Sequence, residues 1–317
     1  MCTTCGCGDD GGTRVSRLDG TVERLASPPE QMQGHPHEHD HRPPDAHDHG
    51  RAPAHSHPHP HSPGALAGPP SHTTNSPPPQ GSSPNGRTTL ALEENLLAKN
   101  ELLAARNRGW LEGRGVRALN VMSSPGAGKT TLLVRTIREL AGQLDIGVIE
   151  GDQETSLDAD RIRSTGRPVI QINTGAGCHL DAAMLQRGLD ALDPAPGSTV
   201  FIENVGNLVC PALFDLGEAA RVVVISVTEG DDKPQKYPHM FLAADLVIIN
   251  KSDLLPHVEF DVDNCLRQAR MLNPGVEVLT LSAATGDGMD GWLDWIRKNP
   301  RPGTDPAGTA SHGGLRV

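Results

Sequence analysis

The sequence predicts an α/β domain built on a mostly parallel sheet with helices on both faces. Two observations carry this prediction. Apolar strand-like runs alternate with helical patterns from about residue 116 to residue 298, and a glycine-rich loop follows the first of those runs. Such alternation places parallel strands side by side and covers both faces of the sheet. Ligands of these folds bind at the carboxyl ends of the strands, where the polar motifs of this chain fall.

The elements follow one another in a regular order along the chain. Leucines at helical spacing over 90–106 (LALEENLLAKNELLAAR) indicate a helix that leads into the domain. Apolar runs predict strands near 116–122, 145–150, 168–173, 199–205, 221–227, 245–249 and 276–281. Helices are predicted near 129–141, 157–165, 180–192, 261–272 and 289–298.

The loop after the first strand has the pattern of a phosphate-binding loop, SSPGAGKTT over 123–131. Its glycines let the backbone wrap phosphates, with N–H groups pointing inward at a helix N-terminus. Lys129 can reach the β and γ phosphates, and the Thr130 hydroxyl can complete the shell of a Mg²⁺ ion. Ser123 departs from the strict pattern, which has glycine there, and the alternative is an ordinary glycine-rich turn. The predicted phosphate-binding residues are Gly126, Ala127, Gly128, Lys129, Thr130 and Thr131.

A second motif, NKSD over 250–253, follows the apolar run 246–249 and supplies a base-binding site. Asp253 offers a carboxylate that can accept the guanine N1–H and N2–H₂ groups together, a pairing that adenine lacks. The tetrapeptide alone also occurs in helix caps and turns, but here it follows a buried strand far beyond the phosphate loop. This placement favours GTP over ATP. The predicted base-binding residues are Asn250, Lys251, Asp253, Ser282 and Ala283.

Two carboxylates fall at strand ends near the nucleotide. Asp152 follows the second strand, and Glu203 ends the fourth, with Gly206 in the position of a γ-phosphate sensor. Either can hold Mg²⁺ directly or through water, or can orient the attacking water. Helix capping or a salt bridge is the alternative for each. The sequence thus predicts that Lys129, Asp152 and Glu203 are catalytic. It does not show which of the two carboxylates holds Mg²⁺ and which orients the water.

Composition divides the chain into four parts. Residues 1–86 hold 15 of the 27 prolines and 11 of the 15 histidines, with few large apolar side chains. A segment of this kind cannot bury enough apolar surface to offset its ordering entropy. We therefore expect a cysteine motif over 1–8, a disordered His/Pro-rich segment over 9–86, a GTPase domain over 87–300 and a disordered tail over 301–317.

Charge and hydropathy exclude several classes of protein. A net charge of −11 and an aromatic content of three Trp, one Tyr and four Phe argue against nucleic-acid binding. Neither a run of 18 apolar residues nor a signal-peptide apolar region is found, so we expect a cytoplasmic protein without membrane contact. In that compartment, six cysteines indicate metal or redox chemistry more than disulfides.

The N-terminus carries three thiols, Cys2, Cys5 and Cys7, that can converge on one cation. Thiolates with a nitrogen as fourth ligand suit square-planar Ni²⁺ and can also take Zn²⁺. Incidental cysteines of an unstructured tail are the alternative.

Clustered histidines between residues 35 and 72 can bind borderline metals, each weakly and several at once. Their irregular spacing fits storage more than catalysis, and a solvated linker is the alternative. The histidines predicted to store metal are His35, His37, His39, His41, His47, His49, His55, His57, His59 and His61.

A further set of metal-binding side chains lies inside the domain. Cys178 and His179 stand at the mouth of a helix, and Cys210 follows the segment 203–207. Three ligands are too few for a closed site from one subunit, but a symmetric dimer could share such a site on its two-fold axis. Packing is the alternative for these cysteines and the preferred interpretation of Cys265, which lies in a helical run.

Taken together, these motifs resemble the HypB family, GTPases that help insert nickel into [NiFe]-hydrogenase. The resemblance covers the extreme N-terminus and nearly all of 87–300. It rests on CTTCGCG, SSPGAGKTTLL, VIEGDQET, DADRIRSTG, NTGAGCHLDA, FIENVGNLVCP, SVTEGDDKPQKYPHMF and NKSDLLP.

The resemblance implies a GTP-hydrolysing, dimerising G domain of the SIMIBI type, which includes the signal-recognition GTPases. It implies a tight nickel site at Cys2, Cys5 and Cys7. It also implies a weaker nickel or zinc site at Cys178, His179 and Cys210 in the dimer interface. The implied partners are a HypA-type zinc-carrying accessory protein and the hydrogenase large subunit.

Two other functions remain open at this point. A urease accessory GTPase of the UreG type is also nickel-linked and often His-rich at its start, but characteristically carries Cys-Pro-His, whereas Cys178 directly precedes His179 here. The other is a nickel storage protein with an incidental nucleotide domain. The intact phosphate-loop and base-binding residues disfavour storage alone, and GTP turnover would exclude it.

Overall fold

The computed structural model describes residues 14–16, 22–24, 84–152, 157–175 and 177–298, with side chains described from residue 94 onward. The predicted cysteine motif over 1–8, the histidine tract and the tail over 301–317 lie outside the described residues.

The domain is organised around one sheet of nine strands in the part of the chain that is described. The strands are β1 (Arg14–Ser16), β2 (Val22–Arg24), β3 (Arg117–Ser123), β4 (Ile146–Asp152), β5 (Val169–Asn173), β6 (Thr199–Gly206), β7 (Ala220–Ser226), β8 (Leu246–Asn250) and β9 (Glu277–Thr280). Their order across the sheet is β2-β1-β5-β4-β6-β3-β7-β8-β9. The seven strands β3 to β9 are parallel, and β1 and β2 form a hairpin antiparallel to β5. The mostly parallel P-loop NTPase sheet predicted from the sequence is confirmed.

Helices cover both faces of this sheet. They are α1 (Pro84–Gly113), α2 (Lys129–Glu139), α3 (Leu157–Arg163), α4 (Ala182–Leu192), α5 (Lys233–Lys236), α6 (Pro238–Leu242), α7 (Val262–Leu272) and α8 (Met289–Lys298), with short 3-10 turns at Cys210–Leu213 and Ser252–His257. The side chains of Asp181 and Asp261 cap α4 and α7 by accepting hydrogen bonds from backbone N–H groups of the first turn.

Burial on both faces explains why the strands read as continuous apolar runs. In β3, Leu119 and Val121 pack into the cluster under α2 and α8, whereas Ala118 and Met122 face the opposite side. On the first side the Trp292 indole N–H donates to Thr136 Oγ1 at 2.8 Å, so this large side chain is buried with its polar group paired. Among the described residues, no helix combines the length and the apolar character needed to cross a bilayer.

The structure differs from the sequence prediction in several elements. Strands β1 and β2 and the short helices α5 and α6 were not predicted, α1 extends beyond the predicted 90–106, and α4 begins at Ala182 rather than near residue 180. Strands of three residues give no periodicity that a sequence pattern can detect, and the first polar turn of α1 carries no apolar stripe. Cys265 is buried in α7 as predicted, and burial raises the pKa of its thiol to about 12.

Candidate nucleotide and metal site

The phosphate loop between β3 and α2 depends on two glycines with left-handed backbone. Gly126 has φ 76° and Gly128 has φ 97°. A Cβ on Gly128 would lie 2.6 Å from Asn250 Nδ2, so a side chain there would push apart the phosphate loop and the base-binding motif. Both the backbone angle and the close approach therefore require glycine at this position.

The Lys129 amine lies at the base of this loop, where it donates to Ser123 Oγ at 2.8 Å. Ser123 thus supplies a hydroxyl partner where the strict motif has glycine. Burial lowers the pKa of Lys129, and the nearby Glu203 carboxylate opposes that shift. The Lys129 amine is thus held next to the backbone N–H groups of the loop. Both could contact the oxygens of a bound phosphate.

Thr130 and Glu203 meet directly, since the Thr130 hydroxyl donates to Glu203 Oε1 at 2.7 Å. Glu203 is only 3% exposed, and its Oε2 has no hydrogen-bond partner within the described part of the chain. Burial raises the pKa of Glu203 to about 7, while Lys129 and the bond from Thr130 oppose the shift. Hydroxyl and carboxylate oxygens are the donors that Mg²⁺ takes, so this pair fits a Mg²⁺ ion. Thr131, by contrast, points outward and accepts from Arg161 at 2.9 Å.

A second buried carboxyl group, Glu150, lies on β4 directly opposite Glu203 in the register of the two strands. Sequence reasoning assigned a role to Asp152 two positions further along β4 and missed Glu150. Glu150 is 3% exposed, and burial together with the Glu203 charge raises its pKa to about 9. The signal that could have revealed it is an acidic side chain inside an otherwise apolar strand.

The base-binding motif is braced against the phosphate loop. Asn250 Nδ2 donates to the Ala127 carbonyl at 2.8 Å, and Asn250 Oδ1 accepts from the Ala283 N–H at 3.0 Å. Lys251 Nζ donates to the Gly126 carbonyl at 2.7 Å. The structure therefore brings together the two sequence-predicted halves of a nucleotide site.

Asp253 is oriented by Ser282, whose hydroxyl donates to Asp253 Oδ1 at 2.5 Å. The Thr285 N–H in turn donates to Ser282 Oγ at 3.1 Å, which ties the turn after β9 to the same point. The carboxylate expected to bind guanine is thus held by Ser282, which is itself one of the predicted base-binding residues.

The three metal-binding side chains predicted within the domain converge in space. The ligand atoms of Cys178, His179 and Cys210 all lie within 4.8 Å of one another. The His179 ring stacks on Phe214, with 3.9 Å between ring centroids, and burial lowers the pKa of His179. A neutral imidazole is the form that ligates metals. Two sulfurs and one imidazole suit borderline cations such as Ni²⁺ and Zn²⁺.

Asn204 connects this cluster to the strand that carries Glu203. Asn204 is 1% exposed, and its Oδ1 accepts from the N–H groups of Leu180 at 3.1 Å and Val205 at 3.0 Å. Asn207 Nδ2 also reaches the Cys178 carbonyl, at 3.5 Å. Neither asparagine was singled out from the sequence, because a polar residue at a strand end gives no sign of the loop that it will bond.

Glu229, in the loop after β7, is a half-buried acid beside the phosphate loop. It accepts a hydrogen bond from Ser124 Oγ through its Oε2, which also lies 3.5 Å from Lys233 Nζ. The sequence analysis used the segment around Glu229 only as part of the family resemblance. No general nucleotide-binding motif marks this glutamate as a neighbour of the phosphate loop.

Comparison with known proteins identifies the family. The profile described as "CobW/HypB/UreG, nucleotide-binding domain" matches residues 117–280. The hydrogenase maturation factor HypB of Rhizobium leguminosarum bv. viciae is 59% identical over 207 residues, which cover 65% of this chain and 69% of that protein. This chain is a member of the HypB family.

Other HypB proteins agree. HypB of Escherichia coli K12 is 54% identical over 210 residues, 66% of this chain and 72% of its own. The crystal structure of Helicobacter pylori HypB in complex with nickel superposes with a TM-score of 0.60 at 37% identity, covering 65% of this chain and 99% of that one.

Proposed function

We propose that this chain is a GTP-hydrolysing nickel metallochaperone that stores nickel and delivers it for maturation of [NiFe]-hydrogenase, with metal binding and dimerisation coupled to nucleotide state. One observation carries the proposal. The ligand atoms of Cys178, His179 and Cys210 converge within 4.8 Å, and Asn204 hydrogen-bonds their loop to the end of the strand that bears Glu203. Membership of the HypB family supports the same function.

Guanine nucleotide is bound by two groups of residues. Asp253, held by Ser282, accepts the N1–H and N2–H₂ groups of guanine, and the Ala283 N–H lies beside Asn250 at the same edge. Lys129 neutralises the β and γ phosphates above the glycine loop. Lys129 and the N–H groups of the phosphate loop stabilise charge that develops on the phosphoryl oxygens, which is the principal task in GTP hydrolysis.

Mg²⁺ fits the oxygen pair formed by Thr130 and Glu203, and when bound it neutralises charge on the phosphate oxygens. Asp152 and Glu203 between them hold the ion, directly or through water, and orient the attacking water. Burial and the Glu203 charge raise the pKa of Glu150, which disfavours a second negative charge next to Glu203.

Nickel is the cargo of the internal cluster, with Zn²⁺ as the alternative occupant. Three ligands from one protomer leave coordination positions open, and a second copy of the chain can fill them in a homodimer. Cys2, Cys5 and Cys7 form the tight nickel site, and the histidine tract stores further ions. A HypA-type accessory protein and the hydrogenase large subunit are the proposed partners, in the cytoplasm, with no role for nucleic acid or membrane.

The test is a nickel titration of the full chain with Cys2, Cys5 and Cys7 replaced by serine. Nickel binding is monitored by thiolate-to-nickel absorption. We expect the affinity to differ between GDP and a non-hydrolysable GTP analogue by a factor in the range typical of allosteric coupling, roughly 5–150-fold. By linkage, nickel must change the nucleotide affinity by the same factor.

Two variants make this experiment decisive. Cys178→Ala should remove both the absorption and the nickel-dependent part of dimerisation, whereas Cys265→Ala, a substitution at a buried thiol of α7, should leave both intact. Identical nickel affinity in the two nucleotide states would contradict the proposed coupling. Absence of GTP turnover by the full chain would contradict the enzymatic part of the proposal.

A further inference from the structure

Helix α1 contacts both loops that carry the internal metal ligands. One loop leads from Cys178 and His179 to the start of α4 at Ala182, and the other leads from Cys210 to the start of β7 at Ala220. Two asparagine side chains of α1 form hydrogen bonds with main-chain groups of these loops. Asn100 and Asn107 are 6% and 2% exposed, and they lie two turns apart, on one face of the helix.

Each asparagine bonds both loops at once. Asn100 Oδ1 accepts from the Ala182 N–H at 2.9 Å, while its Nδ2 donates to the Asp215 carbonyl at 2.7 Å. Asn107 Nδ2 donates to the Ala182 carbonyl at 2.8 Å and to the Leu216 carbonyl at 3.0 Å. The two side chains therefore hold fixed the separation between the first residue of α4 and the chain just beyond the 3-10 turn of Cys210.

The contact is reinforced around the asparagines. A terminal nitrogen of Arg108 donates to both carboxylate oxygens of Asp215, at 2.9 and 2.7 Å. Gly217, with φ 87°, lies so close to α1 that a Cβ there would be 2.3 Å from the Ala104 carbonyl oxygen. Gly217 therefore lets the second loop approach α1 more closely than a residue with a side chain would permit.

Distances within the cluster depend on this separation. His179 comes from the first loop and stacks on Phe214, which directly precedes Asp215 in the second loop. Cys210 lies at the start of the 3-10 turn that ends just before Phe214. A change in the spacing at Ala182 and Asp215 would therefore alter how closely the sulfur of Cys210 approaches the other two ligands.

We propose that Asn100 and Asn107 are positioning residues of the internal metal cluster, because they fix the spacing between the loop of Cys178 and His179 and the loop of Cys210. This role rests on the proposed metal-binding function of the cluster. Groups that orient metal ligands from outside the coordination sphere typically contribute about 10–100-fold to metal affinity. Asn107, at 2% exposed, is the more deeply buried of the two and is replaced first in the test.

The experiment uses the full chain with Cys2, Cys5 and Cys7 replaced by serine, titrated with nickel. Thiolate-to-nickel absorption reports on the cysteines of the cluster and is insensitive to the histidine tract. We expect Asn107→Ala to weaken nickel binding about 10-fold or more. The ratio of nickel to zinc affinity should also change, since a merely less stable protein would keep the geometry that sets this ratio.

A matched control is available at Asn273, whose side chain also donates to main-chain carbonyls, those of Phe241, Leu242 and Ala244 at the end of α6. Asn273→Ala should lower the Tm comparably and leave nickel affinity unchanged. If Asn107→Ala does not fold, Asn100→Ala serves instead, because it leaves both hydrogen bonds of Asn107 in place. That variant should weaken nickel binding several-fold.

The outcomes separate this inference from the proposed function. The parent protein is the full chain with Cys2, Cys5 and Cys7 replaced by serine. If it shows the nickel absorption, and Asn107→Ala and Asn273→Ala bind nickel equally well, the positioning role is refuted but the metal-binding function of the cluster is not. If the parent shows no nickel absorption, or if Cys178→Ser does not remove it, the cluster does not bind nickel. That outcome would refute both the proposed metal function and the positioning role.

Discussion

Glu150 provides the sharpest test of the electrostatics beside the phosphate loop. Its carboxyl group is 3% exposed, its Oε2 has no hydrogen-bond partner within the described residues, and it lies opposite Glu203. Burial is the main cause that raises its pKa from the ordinary value of 4.5 to about 9. The nucleotide-free protein should therefore hold a proton on Glu150 at pH 8 that the unfolded chain has already released.

This difference makes the free energy of unfolding depend on pH. Between the two pKa values the folded state binds more protons than the unfolded state, so stability must fall as the pH rises. One proton corresponds to about 1.4 kcal/mol per pH unit, which gives a loss of about 3 kcal/mol between pH 6 and pH 8. Glu203, with a pKa of about 7, adds to the loss only in the lower part of this range.

Glu150→Gln removes the titrating group and retains the size of the side chain. We expect the variant to lose less stability than the wild type between pH 6 and pH 8, by about 3 kcal/mol. The measurement is urea unfolding at pH 6, 7 and 8 without nucleotide or metal, followed by the fluorescence of the buried Trp292 and Trp295. Glu101→Gln, at an exposed position of α1, is the control and should reproduce the wild-type slope. Parallel pH profiles for wild type and Glu150→Gln would refute the reasoning.

Three further predictions concern nucleotide and metal. Asp253→Asn should weaken GTP binding, with each lost charge-assisted hydrogen bond costing roughly 1.5–3 kcal/mol, and should favour xanthosine triphosphate; unchanged GTP affinity in a competition assay would contradict this. Lys129→Ala should abolish hydrolysis and preserve the N-terminal nickel site, as measured by equilibrium nickel binding; joint loss of both would show that the two segments are coupled. Deletion of residues 35–72 should lower nickel stoichiometry and leave GTP turnover unchanged, so a large fall in turnover at matched metal loading would contradict a separate storage role.

The sequence predicted the elements of the parallel sheet because each carries its own local pattern. The strands β3 to β9 were placed to within one or two residues, since central parallel strands are apolar on both faces. The phosphate loop and the NKSD motif were readable because their chemistry needs particular side chains at fixed spacing. The family resemblance also implied that Cys178, His179 and Cys210 share one metal site, with packing as the alternative from the residues alone, and their ligand atoms do converge.

The contacts between these elements could not be predicted from the sequence. Asn100, Asn107 and Asn204 each bond residues far away in the chain, and an asparagine in a helix or at a strand end looks the same whether it meets a loop or water. The raised pKa of Glu150 could not be predicted for the same reason. It depends on burial and on Glu203 of the neighbouring strand, which are brought about only when the sheet is assembled.

The pairing of β1 with β5 limits how far the N-terminal thiols can move from the internal cluster. Arg14 is opposite Asn173, and because the two strands are antiparallel, the chain before Arg14 leaves the sheet at the end from which β5 runs toward Cys178. The seven peptide units between Cys7 and Arg14 span at most about 25 Å when fully extended. Two sites joined by a short tether meet at effective concentrations in the millimolar range. Under the proposed function, an ion released by Cys2, Cys5 and Cys7 would therefore be recaptured more often by its own chain than by a partner at micromolar concentration.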